Sequence, residues 1–402
     1  MGYAGKILMV VQNLPVPFDR RVWLEAVTLT EHNYRISVIC PKGMGFTRTF
    51  EVIDGVSIYR YPWYEARSHP LSFAFEFAYC WMMTAFLSVA VFFREGFQVI
   101  HACNPPDTFF LLALIYRPFG IKFVFDQHDL CPEMYLSNNR VSEGDGFIFH
   151  ALLTIERFTY ASAHMVLAMN ESYKEVARRR GRLDQEKLAV VRTGPDFNRF
   201  RIVPPNESLK KGKRYLICYL GSMGAHDGVD YLIRSFKTLV TELRFDDVHL
   251  ALIGGGTHVS ELKALVESLG LKNVVTFTGR ISDDEVNLFL STADLCASPD
   301  PKDSFNDKST MNKTLEYMAM GKPIVAFDLK ETRFSAKHAA RYARPNDEKH
   351  FSEQMRALLV DPQARKRMGE FGRTRIEKEL SWDHTKEALL DSYSQLFPEL
   401  DQ

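Results

Sequence analysis

Short apolar runs separated by amphipathic stretches set the rhythm of this chain. In the first half, Lys6–Val11, Arg35–Cys40, Val56–Tyr61, Gln98–Ala102, Lys122–Asp126, Met165–Ala168 and Leu188–Val191 have the length and composition of buried strands. Helical spacing appears between them. Over Arg20–Thr30, Val22, Ala26 and Leu29 fall on one face, and Asp19 stands where an N-cap belongs. A further helix is expected after Pro106. Around Pro195–Lys213 the pattern lapses into polar, proline-bearing sequence with the basic run KKGKR. This reads as an interdomain linker. The same grammar then restarts, with strands at Tyr215–Leu220, His249–Ile253, Val274–Phe277, Leu295–Ala297 and Pro323–Phe327. Helices are expected at Val229–Leu243 and His258–Leu269, and a last amphipathic helix at Trp382–Leu396. Strands that alternate with helices pair in parallel. The pattern therefore predicts an α/β protein with two Rossmann-like, doubly wound parallel sheets in series.

One stretch departs from this rhythm. Phe73–Phe93 is almost wholly apolar, broken only by Glu76. Its length would permit a membrane span, but a span there would split a domain. It reads instead as a buried helix, or as a helix lying on a membrane surface with its aromatic side in the headgroup boundary. The 402 residues are too many for one compact core and suit two domains of about 200. The 46% of hydrophobic residues can build those cores without metals or disulfides. Fifty basic residues balance 50 acidic ones, which argues against a nucleic-acid partner. The six cysteines show no metal-like spacing. Cys40, Cys103, Cys218 and Cys296 lie in or beside strand-like runs, so they read as small buried hydrophobes in a reducing compartment. The chain enters its first strand at Lys6, and no secretory signal is expected.

The chemistry concentrates in Lys308–Asp328, KSTMNKTLEYMAMGKPIVAFD. It reads as loop, short helix, tight stop and buried strand. Ser309 or Thr310 can cap the helix. Gly321 sits where a left-handed residue ends a helix, and Pro323 stops any continuation. Leu315, Met318 and Ala319 face inward, while Lys313 and Glu316 share another face one turn apart. A lysine in the first turn opposes the helix dipole at a cost of about 0.3–1 kcal/mol. A bound anion would remove that conflict, so the backbone N–H groups around Ser309, Thr310, Met311 and Asn312, together with Lys313, form a candidate phosphate site. Glu316 would lie near whatever carries the phosphate, such as a ribose hydroxyl. The plainer alternative is a surface helix whose lysine reaches to water.

In open parallel sheets, ligands bind beyond the carboxyl ends of the strands. After Lys122–Asp126 come His128, Asp129 and Glu133, polar groups placed to enter such a crevice. Asp129 could equally cap a turn, and His128 could be an internal histidine. After the first strand, Asp19, Arg20 and Arg21 open a helix, where an arginine could simply pair with Asp19 or Glu25. After Tyr215–Leu220, Gly221, Ser222 and Gly224 precede a helix, so backbone N–H groups there can face a phosphate. Gly254-Gly255-Gly256 permits close approach of a ligand or of backbone. Arg280 and Ile281 follow the next strand. Asp283 and Asp284 suit a helix start, and Asp300 and Asp303 lack a coherent octahedral set, so no metal site is expected.

Three separated strings, PFDRRVWLEA, FDQHDLCPE and STMNKTLEYMAMGKP, resemble the signatures of retaining, nucleotide-sugar-dependent glycosyltransferases of the GT-B fold, family 4. The sub-pattern is similar to that of members building bacterial polysaccharides. The resemblance implies an acceptor-binding domain over 1–198, a donor-binding domain over 199–381 facing it across a central cleft, and a C-terminal helix over 382–402 crossing back. It implies that Lys313 and the loop before it hold the donor diphosphate, that Glu316 binds the ribose, and that His128 stands beside the reacting sugar. Gly221, Ser222, Gly254, Gly255, Arg280 and Ile281 would complete the donor site. Arg20, Arg21, Asp129 and Glu133 are candidates for the acceptor. The chain departs from the family at Lys308, where a second glutamate is common, and at Ser222 and Asp227, where an arginine and a lysine are common. The loop after the first strand also lacks the family's glycines. No metal or other cofactor is implied beyond the nucleotide sugar as co-substrate. The apolar Phe73–Phe93 stretch points to a lipid-linked saccharide acceptor at the cytoplasmic membrane face. Two rivals share the fold: a nucleotide-sugar epimerase or hydrolase, and a catalytically silent sugar-nucleotide-binding subunit.

Overall fold

The structure, a computed structural model, describes residues 3–64, 70–139, 141 and 146–397, with the side chains of the helix Pro70–Arg94 from Phe75 onward. Residues 1–2 and 398–402 of the predicted terminal segments, and the Phe73 and Ala74 side chains, lie outside the described residues. The chain forms two compact units. The first comprises Met1–Met134, Gly144–Arg192 and Thr385–Gln402; the second comprises Tyr135–Glu143 and Thr193–His384.

The strands of the first unit are β1 (Gly5–Val10), β2 (Tyr34–Pro41), β3 (Phe50–Ile53), β4 (Val56–Tyr61), β5 (Val99–Cys103), β6 (Lys122–Gln127), β7 (Met165–Ala168) and β8 (Leu188–Val190). They form one sheet in the order β3-β4-β2-β1-β5-β6-β7-β8, parallel except for the β3–β4 hairpin. The second unit holds β9 (Tyr215–Leu220), β10 (Val248–Ile253), β11 (Val275–Gly279), β12 (Leu295–Ser298), β13 (Ile324–Phe327) and β14 (Ala340–Ala343). Their order, β11-β10-β9-β12-β13-β14, is wholly parallel. Both sheets wind outward in two directions from their first strand. That reversal opens a crevice at the carboxyl ends of β1 and β5 in one unit, and of β9 and β12 in the other. β9, β10 and β12 are buried along their whole length, as continuous apolar runs covered on both faces should be.

Asp19 caps α1 (Arg20–Glu31) by accepting from the Val22 N–H at 3.2 Å, and Val22, Ala26 and Leu29 are buried beneath it. Pro195–Lys213 is not a free linker. Phe200 is buried, and Arg201, Val203 and Asn206 donate backbone N–H groups to Asn287, Ser291 and Thr292 of the helix Asp283–Thr292. Proline and the lack of periodicity removed the strand and helix signals, but the segment is strapped onto the second unit by side-chain acceptors. The stretch Phe73–Phe93 lies in α2 (Pro70–Arg94) and is not a plain buried helix: Phe75, Met82, Phe86, Val89 and Phe93 are exposed.

Candidate active site

The second unit's crevice is built around a short helix, Asn312–Ala319. Pairing of β9 with β12 covers Ile217–Leu295 and Cys218–Cys296. One step farther on, Tyr317 stands between the two strands: its hydroxyl accepts from the Leu220 N–H at 2.7 Å and donates to the Ala297 carbonyl at 3.2 Å. The helix is thus pinned at the point where the strands part. Neither Ser309 nor Thr310 caps it. The N-cap is Met311, without a side-chain cap bond, and the Ser309 hydroxyl donates to the Phe305 carbonyl instead. Gly321, at φ 65°, follows the helix as its left-handed terminator.

Lys313 lies in the first turn and is buried. Its ammonium is 2.5 Å from Asp300 Oδ1 and 3.8 Å from Asp227 Oδ1, and it sits 5.2 Å from the centre of the Tyr219 ring. Burial alone would depress the ammonium pKa; Asp300 and then Asp227 outweigh it and hold the group well above the ordinary lysine value. In this structure two carboxylates therefore answer the conflict between lysine and helix dipole. Asp300 is itself fixed by the Ser298 hydroxyl at 2.7 Å, and Asp227 accepts the Gly224 N–H at 2.7 Å, closing the loop after β9. Gly228, at φ 68°, lets that loop enter the next helix: a Cβ there would sit 2.1 Å from the Pro299 carbonyl oxygen.

The glycine loops meet over Lys313. A Cβ on Gly221 would lie 3.2 Å from Lys313 Cε, and one on Gly254 only 2.0 Å from the Gly221 oxygen. Gly255 faces open space and Ser222 is exposed. Glu316, one turn after Lys313, is half-buried and 3.5 Å from Arg199, which also holds Asp283 at 2.9 Å. Asn312 and Arg280 are exposed, Ile281 is half-buried, and Ser309, Thr310 and Met311 are buried. The loop residues Gly221 and Gly254, Lys313 and the start of its helix thus form one local site. Sequence reasoning assigned no part in it to Asp227 and Asp300, because their partner is brought to them by the sheet.

In the first unit the carboxyl end of β6 carries a buried ion cluster. Asp126 takes both ends of the Arg21 guanidinium, at 3.0 and 2.5 Å, and Arg21 also reaches Glu25 at 3.1 Å and the Val191 carbonyl at 2.6 Å. Arg21, a candidate for the acceptor, is buried in these ion pairs, whereas Arg20 is exposed. His128 Nε2 lies 2.5 Å from Asp126 Oδ2. Burial pulls the His128 pKa down, but Asp126 overrides it, so the imidazolium is favoured relative to a free histidine. Burial would raise the Asp126 carboxyl, yet Arg21 and His128 hold it well below the usual range. Asn104 clamps the turn: its Oδ1 accepts from the His128 and Asp129 N–H groups at 2.7 and 3.1 Å, and its Nδ2 donates to the Asp129 carbonyl at 2.8 Å. Asp129 is half-buried beside it. Glu133, another acceptor candidate, is fully buried and paired with Arg180 at 2.5 Å, which also binds Glu156 at 3.0 Å.

His101, on β5, completes the cluster, with Nε2 at 3.3 Å from Glu25 and 3.5 Å from Asp126, and Nδ1 at 2.6 Å from the Tyr393 hydroxyl. Among the described residues, His101, Cys103 and Asp126 bring ligand atoms within 4.8 Å of one another. The Arg21 guanidinium already binds that carboxylate, so the donor set does not fit a metal cation. Sequence reasoning missed His101: it lies inside an apolar run that is buried along its whole length, and no local signal announced its partners.

Comparison with known proteins covers both units. The family model described as "Glycosyl transferases group 1" matches residues 203–375, and the "Glycosyl transferase 4-like domain" matches residues 19–194. The alpha-D-kanosaminyltransferase of Streptomyces kanamyceticus is 24% identical over 265 residues, covering 64% of this chain and 66% of its own. The chain spans between about two fifths and two thirds of the length of the curated relatives it matches. Sucrose-phosphate synthase from Thermosynechococcus elongatus superposes with a TM-score of 0.80 at 17% identity, over 98% of this chain and 100% of that one. Anabaena HepE, crystallised with UDP and glucose, gives 0.73 at 15% identity, over 97% and 100%. These structures are similar to this one in fold.

Proposed function

Because the chain belongs to the GT4-type glycosyltransferases with the GT-B fold, we propose that it moves a sugar from a nucleoside-diphosphate donor to a saccharide acceptor, with retention of configuration and without a bound metal. The acceptor is a lipid-linked saccharide, and the product a cell-surface polysaccharide or its precursor, made on the cytoplasmic side of the membrane. The observation that carries the donor reading is the buried Lys313 at the first turn of a helix that opens on the β9–β12 crevice. Helix N-terminus and ammonium lie together there, which supports reading it as an anion site.

The local charge sharpens the mechanism. With Asp300 and Asp227 beside it, the ammonium is more than neutralised. A diphosphate entering the crevice competes with these carboxylates for Lys313, and the start of the helix supplies the remaining positive potential. Stabilising the leaving diphosphate in this pre-arranged field is the main catalytic contribution. A diphosphate oxygen then takes the acceptor's proton on the face of attack. Glu316 accepts from the ribose hydroxyls, and His128, oriented by Asp126, binds the transferred sugar.

Incubating purified protein with a panel of nucleotide sugars tests the reading. One donor raises the melting temperature, and adding acceptor starts transfer. Lys313→Ala and Glu316→Ala retain the fold by circular dichroism and lose transfer by about 100-fold or more. Normal turnover in either variant refutes the site. Sustained turnover of donor without acceptor favours an epimerase or hydrolase instead.

A further inference from the structure

α2 is apolar on its outer side as well as toward the core. Its residues at 80, 84, 88 and 91 face the core, and they are Cys80, Thr84, Ser88 and Val91, each 0% exposed. The inner stripe thus holds a thiol and two hydroxyls; Ser88 meets the Tyr116 hydroxyl at 3.0 Å. The outer stripe, at 75, 82, 86, 89 and 93, holds Phe75, Met82, Phe86, Val89 and Phe93, with Phe86 70% and Phe93 83% exposed. A helix on the surface of a water-soluble domain turns charged and polar residues to this outer side. At 1.5 Å per residue the outer apolar stripe runs about 27 Å. The helix is long and apolar enough to cross a membrane, but its inner stripe is packed on the first unit, so it lies along that unit.

The apolar surface continues onto two neighbouring stretches of the same unit. Phe92 touches Phe119 with ring centres 5.6 Å apart, and Phe110 stacks on Phe158 at 5.9 Å. Leu111, Leu114, Ile115 and Phe119 are exposed on the first stretch, and Phe147, Ile148 and Phe158 on the second. A contiguous patch of this kind marks an interaction surface.

Charge identifies what covers it. Among the described side chains, Phe75–Arg94, Asp107–Phe119 and Phe147–Ser162 each carry one acid and one arginine. The acids are turned in: Asp107 and Glu156 are buried, and Glu76 is half-buried against the Trp63 indole N–H at 3.4 Å. Arg94, Arg117 and Arg157 are all exposed. We propose that this three-part face is a docking surface for an anionic lipid bilayer, with the phenylalanines seated at the acyl boundary and the arginines on lipid phosphates. Basic, aromatic and without exposed acid among the described residues, the face is complementary to a negatively charged interface and would repel a basic protein partner.

The test uses the whole protein with vesicles of phosphatidylcholine, with or without 30% phosphatidylglycerol as a trial composition of about that proportion. Sedimentation with the anionic vesicles, at least tenfold tighter than with neutral ones, is expected. Phe86→Ser with Phe93→Ser should weaken it at least tenfold, with the melting temperature unchanged because both side chains already face outward. Arg117→Gln with Arg157→Gln should remove the preference for anionic lipid and leave residual neutral binding. Failure to bind either vesicle, or full binding by the phenylalanine variant, overturns the proposal. So does a stable dimer in vesicle-free buffer that the phenylalanine variant dissociates, since a second copy would then be the occupant. Sugar transfer enters none of these readouts, so their outcome is independent of the proposed activity.

Discussion

At the scale of single residues, partners decide roles that local sequence leaves open. Arg21 could have faced an acceptor phosphate or a neighbouring carboxylate; Asp126, 105 positions away, takes it. Lys313 was legible as an anomaly in its helix, yet the carboxylates that answer it are 13 and 86 positions distant. Titration should expose the first-unit cluster. Burial lowers the His101 pKa, but the adjacent Asp126 and Glu25 carboxylates outweigh it and raise the group from 6.5 to about 9. The folded state therefore holds a proton that the unfolded chain releases above its own value. The associated stability, on the order of 3 kcal/mol, is fully present below pH 6.5 and lost as pH rises through about 9. Urea midpoints of the first unit should fall over that interval, and His101→Gln should flatten the fall. An unchanged slope in the variant would assign the titration elsewhere.

At the scale of elements, periodicity placed nearly every strand within a residue or two, because buried parallel strands are continuous apolar runs. The two misses have separate causes. β3 is an edge strand with Phe50 and Val52 exposed, although Asp54 and Gly55, at φ 47° and 81°, announce its two-residue hairpin turn. β14 spans only Ala340–Ala343, too short for a pattern. The loops after β9 and β10 were recognisable by glycine, but not their contact. Gly254 has φ 125° and its Cβ would meet the Gly221 oxygen at 2.0 Å. Gly254→Ala should cost about 1–3 kcal/mol through strain and displaced backbone, and it should weaken nucleotide-sugar stabilisation as well. Calorimetry with and without ligand separates the two effects; wild-type values in both would show that the loops accommodate the methyl group.

At the scale of the whole molecule, a neutral chain of 402 residues carries two doubly wound units with separate cores. The repeat of strand grammar made that division visible, while the exact boundary was not, since the strap after Arg192 packs as part of the second unit. Separate cores predict separable unfolding. A nucleotide sugar at 100 times its Kd should add about 2.7 kcal/mol to the second unit and little to the first. Scanning calorimetry should therefore resolve two transitions, of which ligand moves one. A single transition shifted as a whole would mean that the units melt together.

The first unit also contains the final helix, Trp382–Leu396, from Thr385 on. Tyr393 is buried with its hydroxyl on His101, its ring lies 5.7 Å from that of Tyr34, and the Leu396 carbonyl accepts from Lys122. During synthesis the ribosome must translate the entire second unit before these groups emerge. The half of the protein made first is thus finished last, and until then its His101, Glu25 and Asp126 await their tyrosine lid.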